Sequence, residues 1–235
     1  DLLRPEKAPV DSAAWQEMMD LATKSESERN YPYAKSYLKE AFYINPYDFL
    51  PIDRLLVITG AEKVKGADKQ VLMDALQVLD RQTSTHGAYR GFIPVYEEIV
   101  QRIKKIDSKE YHPALSLASL SLSLSMLDDR DRCLKLVDEV RGHVKPDDAE
   151  SWSFIYDKVP MYLLYIRNEP QTVISYLLPK IGKNTKDNNL RTSFNILSEA
   201  YRLSGDENEA GRWSEVADKL TPPAQEKAEK PAEKN

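Results

Sequence analysis

One cysteine, Cys133, in 235 residues rules out an intramolecular disulfide and leaves no Cys-x-x-Cys pair for zinc or redox chemistry. Glycine is scarce, with eight residues, and none falls in a Gly-x-x-x-x-Gly-Lys or Gly-x-Gly-x-x-Gly loop that cradles phosphate. His86, His112 and His143 stand far apart, without a paired acid or a His-Glu-x-x-His helix, so each reads as structural. No apolar run reaches the length of roughly 20 residues that a membrane-spanning helix needs. Basic charge is not in excess: 33 Lys and Arg face 38 Asp and Glu, giving a net charge of −5. A nucleic-acid binder needs a basic stripe to displace counterions, and the short cluster Arg102, Lys104, Lys105 reads as the solvated end of a helix. Carboxylates are plentiful, but Asp128, Asp129 and Asp131 read as a turn and a helix N-terminus rather than an acid/base pair. The expectation is a chain that is not an enzyme, with no metal and no cofactor.

What remains is helical. Charged residues make up 30% and hydrophobic ones 41%. Apolar spacing and punctuation by Pro46, Pro51, Gly60, Gly66, Gly87, Gly91, Pro146, Pro170 and the run at 184–189 predict about eleven helices. They fall near 12–26, 31–44, 48–60, 67–82, 92–106, 113–127, 130–142, 149–166, 170–182, 189–203 and 206–220. Asp147 with Glu150, and Asp206 with Glu209, have the spacing of capping boxes.

The tract LSLASLSLSLSML at 115–127 conflicts with this pattern, because strict alternation favours a strand. On a helix, Leu117, Leu120, Leu124 and Leu127 share one side, while Leu115, Leu122 and Met126 share the other. A helix apolar on two sides suits the interior of a stack of helices, and helices are expected on either side. The tract is therefore assigned to a helix.

The stretch 191–224 carries the most specific pattern. Phe194, Leu197, Ser198, Tyr201, Gly205, Ala210, Ala217 and Pro222 place bulky, small, turn and stop residues along one helix–turn–helix unit. Small Ala210 and Ala217 let two antiparallel helices approach, while Phe194, Leu197 and Tyr201 fill the wedge between them. The unit resembles a tetratricopeptide repeat. A weaker match covers Met18, Leu21, Ala22, Ala34, Leu38, Ala41 and Pro46, with Arg29 where the turn glycine is usual and Ser25 where an aromatic is usual. Leu117, Leu120, Leu124, Cys133, Val137 and Val140 keep the spacing in the middle, and 150–182 keeps it loosely through Val173 and Leu177. Residues 47–111 match poorly.

The resemblance implies an all-α fold, a right-handed α-solenoid of stacked antiparallel helix pairs. It places an extended segment at 1–11, the repeat domain at 12–221 with 47–111 irregular, and a disordered Pro/Lys/Glu/Ala tail at 222–235. In tetratricopeptide proteins the first helix of each pair lines a concave groove. Carried onto this chain, that groove is lined by Leu115, Ala118, Leu122 and Met126, then Ile155, Lys158, Tyr162 and Tyr165, then Thr192, Asn195, Glu199 and Arg202. The Lys/Asn/Arg clamp of heat-shock co-chaperones is not assembled, since Met19 and Thr23 stand at the N-terminal clamp positions and only Asn195 and Lys158 match later. The expected function is a protein–protein interaction scaffold that holds a partner segment or a complex subunit. The alternative is a lipid or other apolar small molecule in the central groove. A chain opening at Asp1, cysteine-poor and with Pro-flanked ends, suits a bacterial periplasm or cell envelope; the alternative compartment is the cytoplasm.

Overall fold

Two helices approach only as closely as their facing side chains allow, and this chain places its smallest residues where its hairpins close. The computed structural model describes residues 6–145 and 147–220; Pro146, Pro222 and the expected tail at 222–235 lie outside the described residues. Those residues form an all-α fold of eleven helices without a strand. The chain divides into two compact units, Asp1–Val144 and Lys145–Asn235.

The first unit holds α1 (Ser12–Ser27), α2 (Tyr31–Ile44), α3 (Leu50–Ala61), α4 (Ala67–His86), α5 (Phe92–Ile106), α6 (His112–Leu124) and α7 (Leu127–Val140). Each helix packs on the next, and α4 also touches α2 and α6. Asp11 starts α1 by accepting the backbone N–H groups of Ala13 and Ala14 at 3.1 and 3.0 Å. Arg29 makes the turn into α2 with a φ of 57°, the left-handed conformation that the repeat pattern assigns to glycine. Ala22, Ala34 and Ala41 are fully buried in the α1–α2 hairpin, beside Leu38 and Phe42. Full burial of such a leucine or phenylalanine contributes about 1.5–3 kcal/mol.

Charge pairs stitch alternate helices at the surface. Arg54 of α3 donates to Glu26 of α1 at 2.8 and 3.1 Å, and Lys39 of α2 reaches Asp74 of α4 at 2.8 Å. The basic cluster is likewise engaged: Arg102 donates to Glu98 at 2.6 Å and Asp53 at 2.5 Å, and Lys104 pairs with Glu139 at 3.1 Å. One pair is not a surface feature. Asp129, in the first turn of α7, has no exposed surface and accepts from Arg90 at 3.1 Å and Arg132 at 2.6 Å.

The second unit holds α8, a composite helix over 149–166, then α9 (Pro170–Ile181), α10 (Arg191–Leu203) and α11 (Glu207–Asp218). Ala210 and Ala217 of α11 are fully buried against α10, as the repeat spacing predicts. The Ser198 hydroxyl donates to the Ala210 carbonyl at 2.8 Å, and the rings of Phe194 and Trp213 stack at 5.6 Å. Gly205 turns the chain with a φ of 84°, and Asp206 caps α11 by accepting from the Glu209 N–H at 3.1 Å.

Three local expectations change. The Leu/Ser tract is helical, but α6 stops at Leu124 because Ser125 adopts a φ of 58°, and Met126 stands as the extended cap of α7. The cap of α8 is Asp148 rather than Asp147: its carboxylate accepts from the Ser151 N–H at 3.1 Å and hydroxyl at 2.7 Å. The fourth helix runs on to His86 before Gly87 ends it with a φ of 96°.

Ala210→Leu forces a branched side chain with three extra heavy atoms into the α10–α11 contact. It is expected to destabilise the protein by about 1–3 kcal/mol, read as a lower midpoint in urea denaturation.

Candidate functional site

The helix α8 is irregular for a reason that lies in its sequence. It runs as α-helix over Ala149–Ser153, π-helix over Phe154–Lys158, α-helix over Val159–Met161 and π-helix over Tyr162–Ile166. The Val159 N–H reaches back five residues to the Phe154 carbonyl, so the next carbonyl, that of Ile155, faces residue 160. Residue 160 is proline and has no N–H to donate. The buried Tyr176 of α9 fills the gap: its hydroxyl donates to the Ile155 carbonyl at 2.8 Å. A side chain on the neighbouring helix thus completes the backbone pairing of α8 and fixes its position on α9.

This wide-turned helix brings Met161 and Tyr165 to the surface, at 43% and 58% exposure. Across from them α10 presents Thr192, Asn195, Glu199 and Arg202, and the two rows border an open depression of about 420 Å³ with Ile196, Ser198 and Ser214. Arg202 donates to Glu199, so the two charges along this wall are mutually neutralised. The depression has an apolar, aromatic side on α8 and a polar side on α10.

Of the residues expected to line a groove, Tyr165, Asn195, Glu199, Arg202 and Thr192 meet around this depression. Lys158 is exposed on α8 but outside the lining. Tyr162 is half-buried, its hydroxyl enclosed without a hydrogen-bond partner. Three positions correct the expectation outright. Ile155 is fully buried because α8 packs on both α9 and α10, and Leu115, like Ala118, is buried because α4, α5 and α7 all pack on α6. Leu122 is half-buried, and Met126 is 53% exposed but sits in a turn, its sulfur accepting from Arg90 at 2.8 Å.

A second link joins the same two helices: Asp157 of α8 accepts from Ser153 and from Ser193 of α10, both at 3.1 Å. Burial raises its carboxyl above the usual carboxylate range, against the opposing effect of the two serine hydrogen bonds. The first unit repeats the device: Asp80 of α4 accepts from Ser116 of α6 at 3.2 Å and from Tyr96 at 2.8 Å. In both cases the acid precedes its serine by 36 residues. The offset that carries Asp80 to Asp157 and Ser116 to Ser193 also carries Leu120 to Leu197, Ser121 to Ser198 and Asp129 to Asp206. Sequence reading missed these acids, although the matched spacing was there to find.

Other reactive groups are committed to structure. Cys133 is fully buried, and burial pushes its thiol up to about 12, far from a thiolate nucleophile. The Nδ1 of His112 lies 2.7 Å from Glu110 at the start of α6. Among the described residues no group of three or more His, Cys, Asp or Glu is placed to hold a metal ion, and no helix is long and apolar enough to cross a membrane.

Tyr176→Phe leaves the Ile155 carbonyl buried and unpaired, and is expected to cost about 1–3 kcal/mol in urea denaturation. A second expectation concerns pH. A carboxyl with a raised folded pKa favours the folded state fully below its unfolded value, and that contribution is lost as pH rises through the folded value. Asp157→Asn removes it, so the variant's stability relative to the parent should be higher at pH 7 than at about pH 4. Equal differences at both pH values would refute the effect.

No family model matches the chain, and no curated protein matches it. Among solved structures it is similar to one titled "Crystal structure of MamA protein", with 14% sequence identity and a TM-score of 0.37, covering 88% of this chain and 91% of that one.

Proposed function

We propose that this chain is a non-catalytic scaffold that holds a segment of a partner protein, or a subunit of a larger complex, in the depression between α8 and α10. The observation that carries this reading is the pairing of exposed Met161 and Tyr165 with the polar row Asn195, Glu199 and Arg202. Aromatic and arginine side chains are the anchors that dominate protein interfaces, and amide and charged groups alongside them give register to a peptide backbone. Ile166, 68% exposed, extends the apolar side beyond the depression. The competing reading, a lipid or other apolar small molecule in a central groove, loses two of its lining residues, since Leu115 and Ile155 belong to the packed interior.

A photo-crosslinking amino acid at position 165, introduced into the protein in its native cell, should capture one defined polypeptide. With that polypeptide purified, Tyr165→Ala is expected to weaken binding by at least about 1–2 kcal/mol, a roughly 5- to 30-fold rise in Kd. Tyr165 is exposed, so circular dichroism should show the fold unchanged. An unaltered Kd would remove the depression as the docking site.

A further inference from the structure

The described chain does not begin with α1. Residues 6–8 lie against the first unit as a short strap, bent at Glu6 and Lys7 and outside any helix. The Gly91 N–H donates to the Glu6 carbonyl at 2.8 Å, and the Ala8 N–H donates to the Tyr47 hydroxyl at 2.7 Å. The Lys7 ammonium lies 5.2 Å from the centroid of the Tyr47 ring, which itself stacks on Phe92 at 5.6 Å. Gly91 is required by proximity: a Cβ there would lie 2.8 Å from the Glu6 carbonyl oxygen and 2.8 Å from the Lys7 Cγ. Ala8 is half-buried against the core of the unit.

These contacts read a short sequence. The first position gives only its carbonyl, so its side chain is free to vary. The second supplies a cation over Tyr47 and a slim methylene chain against Gly91. The third must have a backbone N–H and a small side chain. Glu-Lys-Ala occurs twice in the chain, at 6–8 and at 226–228. The neighbouring Glu229, Lys230 and Pro231 do not fit, because Pro231 has no N–H for Tyr47. Glu233, Lys234 and Asn235 place a larger polar side chain where Ala8 meets the core.

We propose that the Gly91–Tyr47 slot is a docking site for Glu-Lys-Ala segments, and that Glu226, Lys227 and Ala228 of a second copy are its alternative occupant. The strap at 6–8 holds the slot in cis, where its high effective concentration favours it. When the strap leaves, the slot takes the matching segment of another molecule and links two chains.

The test uses the full chain by sedimentation velocity. Ala8→Pro removes the N–H that Tyr47 receives and releases the strap. This variant should form a larger species as concentration rises, while the parent sediments as a single species over the same range. Adding Ala228→Pro, adding Gly91→Ala, or adding excess peptide of residues 222–232 should each return the variant to the parent's behaviour. Lys7→Glu, which removes the cation over Tyr47 and leaves the backbone intact, is the second releasing variant if Ala8→Pro loses helicity. The proposal is overturned if the releasing variants sediment like the parent, or if their association survives Ala228→Pro.

Discussion

Close approach of helix backbones is the constraint on which this structure rests. A hairpin closes tightly only where its facing side chains are small, and Ala22, Ala34, Ala41, Cys133, Ala210 and Ala217 have no exposed surface at all. Around these contacts the larger residues find their places: Leu38 and Phe42 beside the first hairpin, Phe194 and Trp213 beside the last. Cys133 belongs to this set by size, and its sulfur chemistry is a by-product that burial silences. The hydrophobic contribution accumulates from many such side chains, but it accumulates only because the helices can come this near.

How much of this was legible follows from the range over which each feature acts. The α10–α11 hairpin was readable almost residue by residue, because its spacer, wedge and turn positions all lie within one unit of sequence. The helical state of the Leu/Ser tract was also readable, since both faces of α6 meet neighbours. The end of that helix was not: no glycine or proline marks Ser125, which adopts the left-handed conformation without a sequence signal. Asp148 displaced Asp147 as a cap by a single position, within the uncertainty of any boundary read from pattern alone. The wide turns of α8 were hidden for a different reason. Pro160 is visible in the sequence, but the hydroxyl that relieves it comes from Tyr176, on another helix.

The same logic explains the fate of the expected groove. A row of side chains at helical spacing lies on one face, but spacing does not say how many neighbours a helix has. Three neighbours surround α6 and two surround α8, and those contacts take Leu115 and Ile155 inward. The α10 row stays open, so Asn195, Glu199 and Arg202 keep the positions the pattern gave them. Irregularity in α8 is consistent with a working surface, since π-turns recur where helices serve binding or chemistry.

The buried carboxylate of Asp129 has a consequence for how the first unit comes apart. Its two arginines arrive from the approach to α5 and from α7 itself, so fraying at Arg90 takes from a fully buried carboxylate one of its two cations. Partial opening at that corner is penalised more than a loss of apolar contact alone would be. The backbone bonds that α7 makes from this turn onward, beginning with the Arg130 N–H to the Met126 carbonyl, therefore open less readily than those of a helix end held by apolar contact alone.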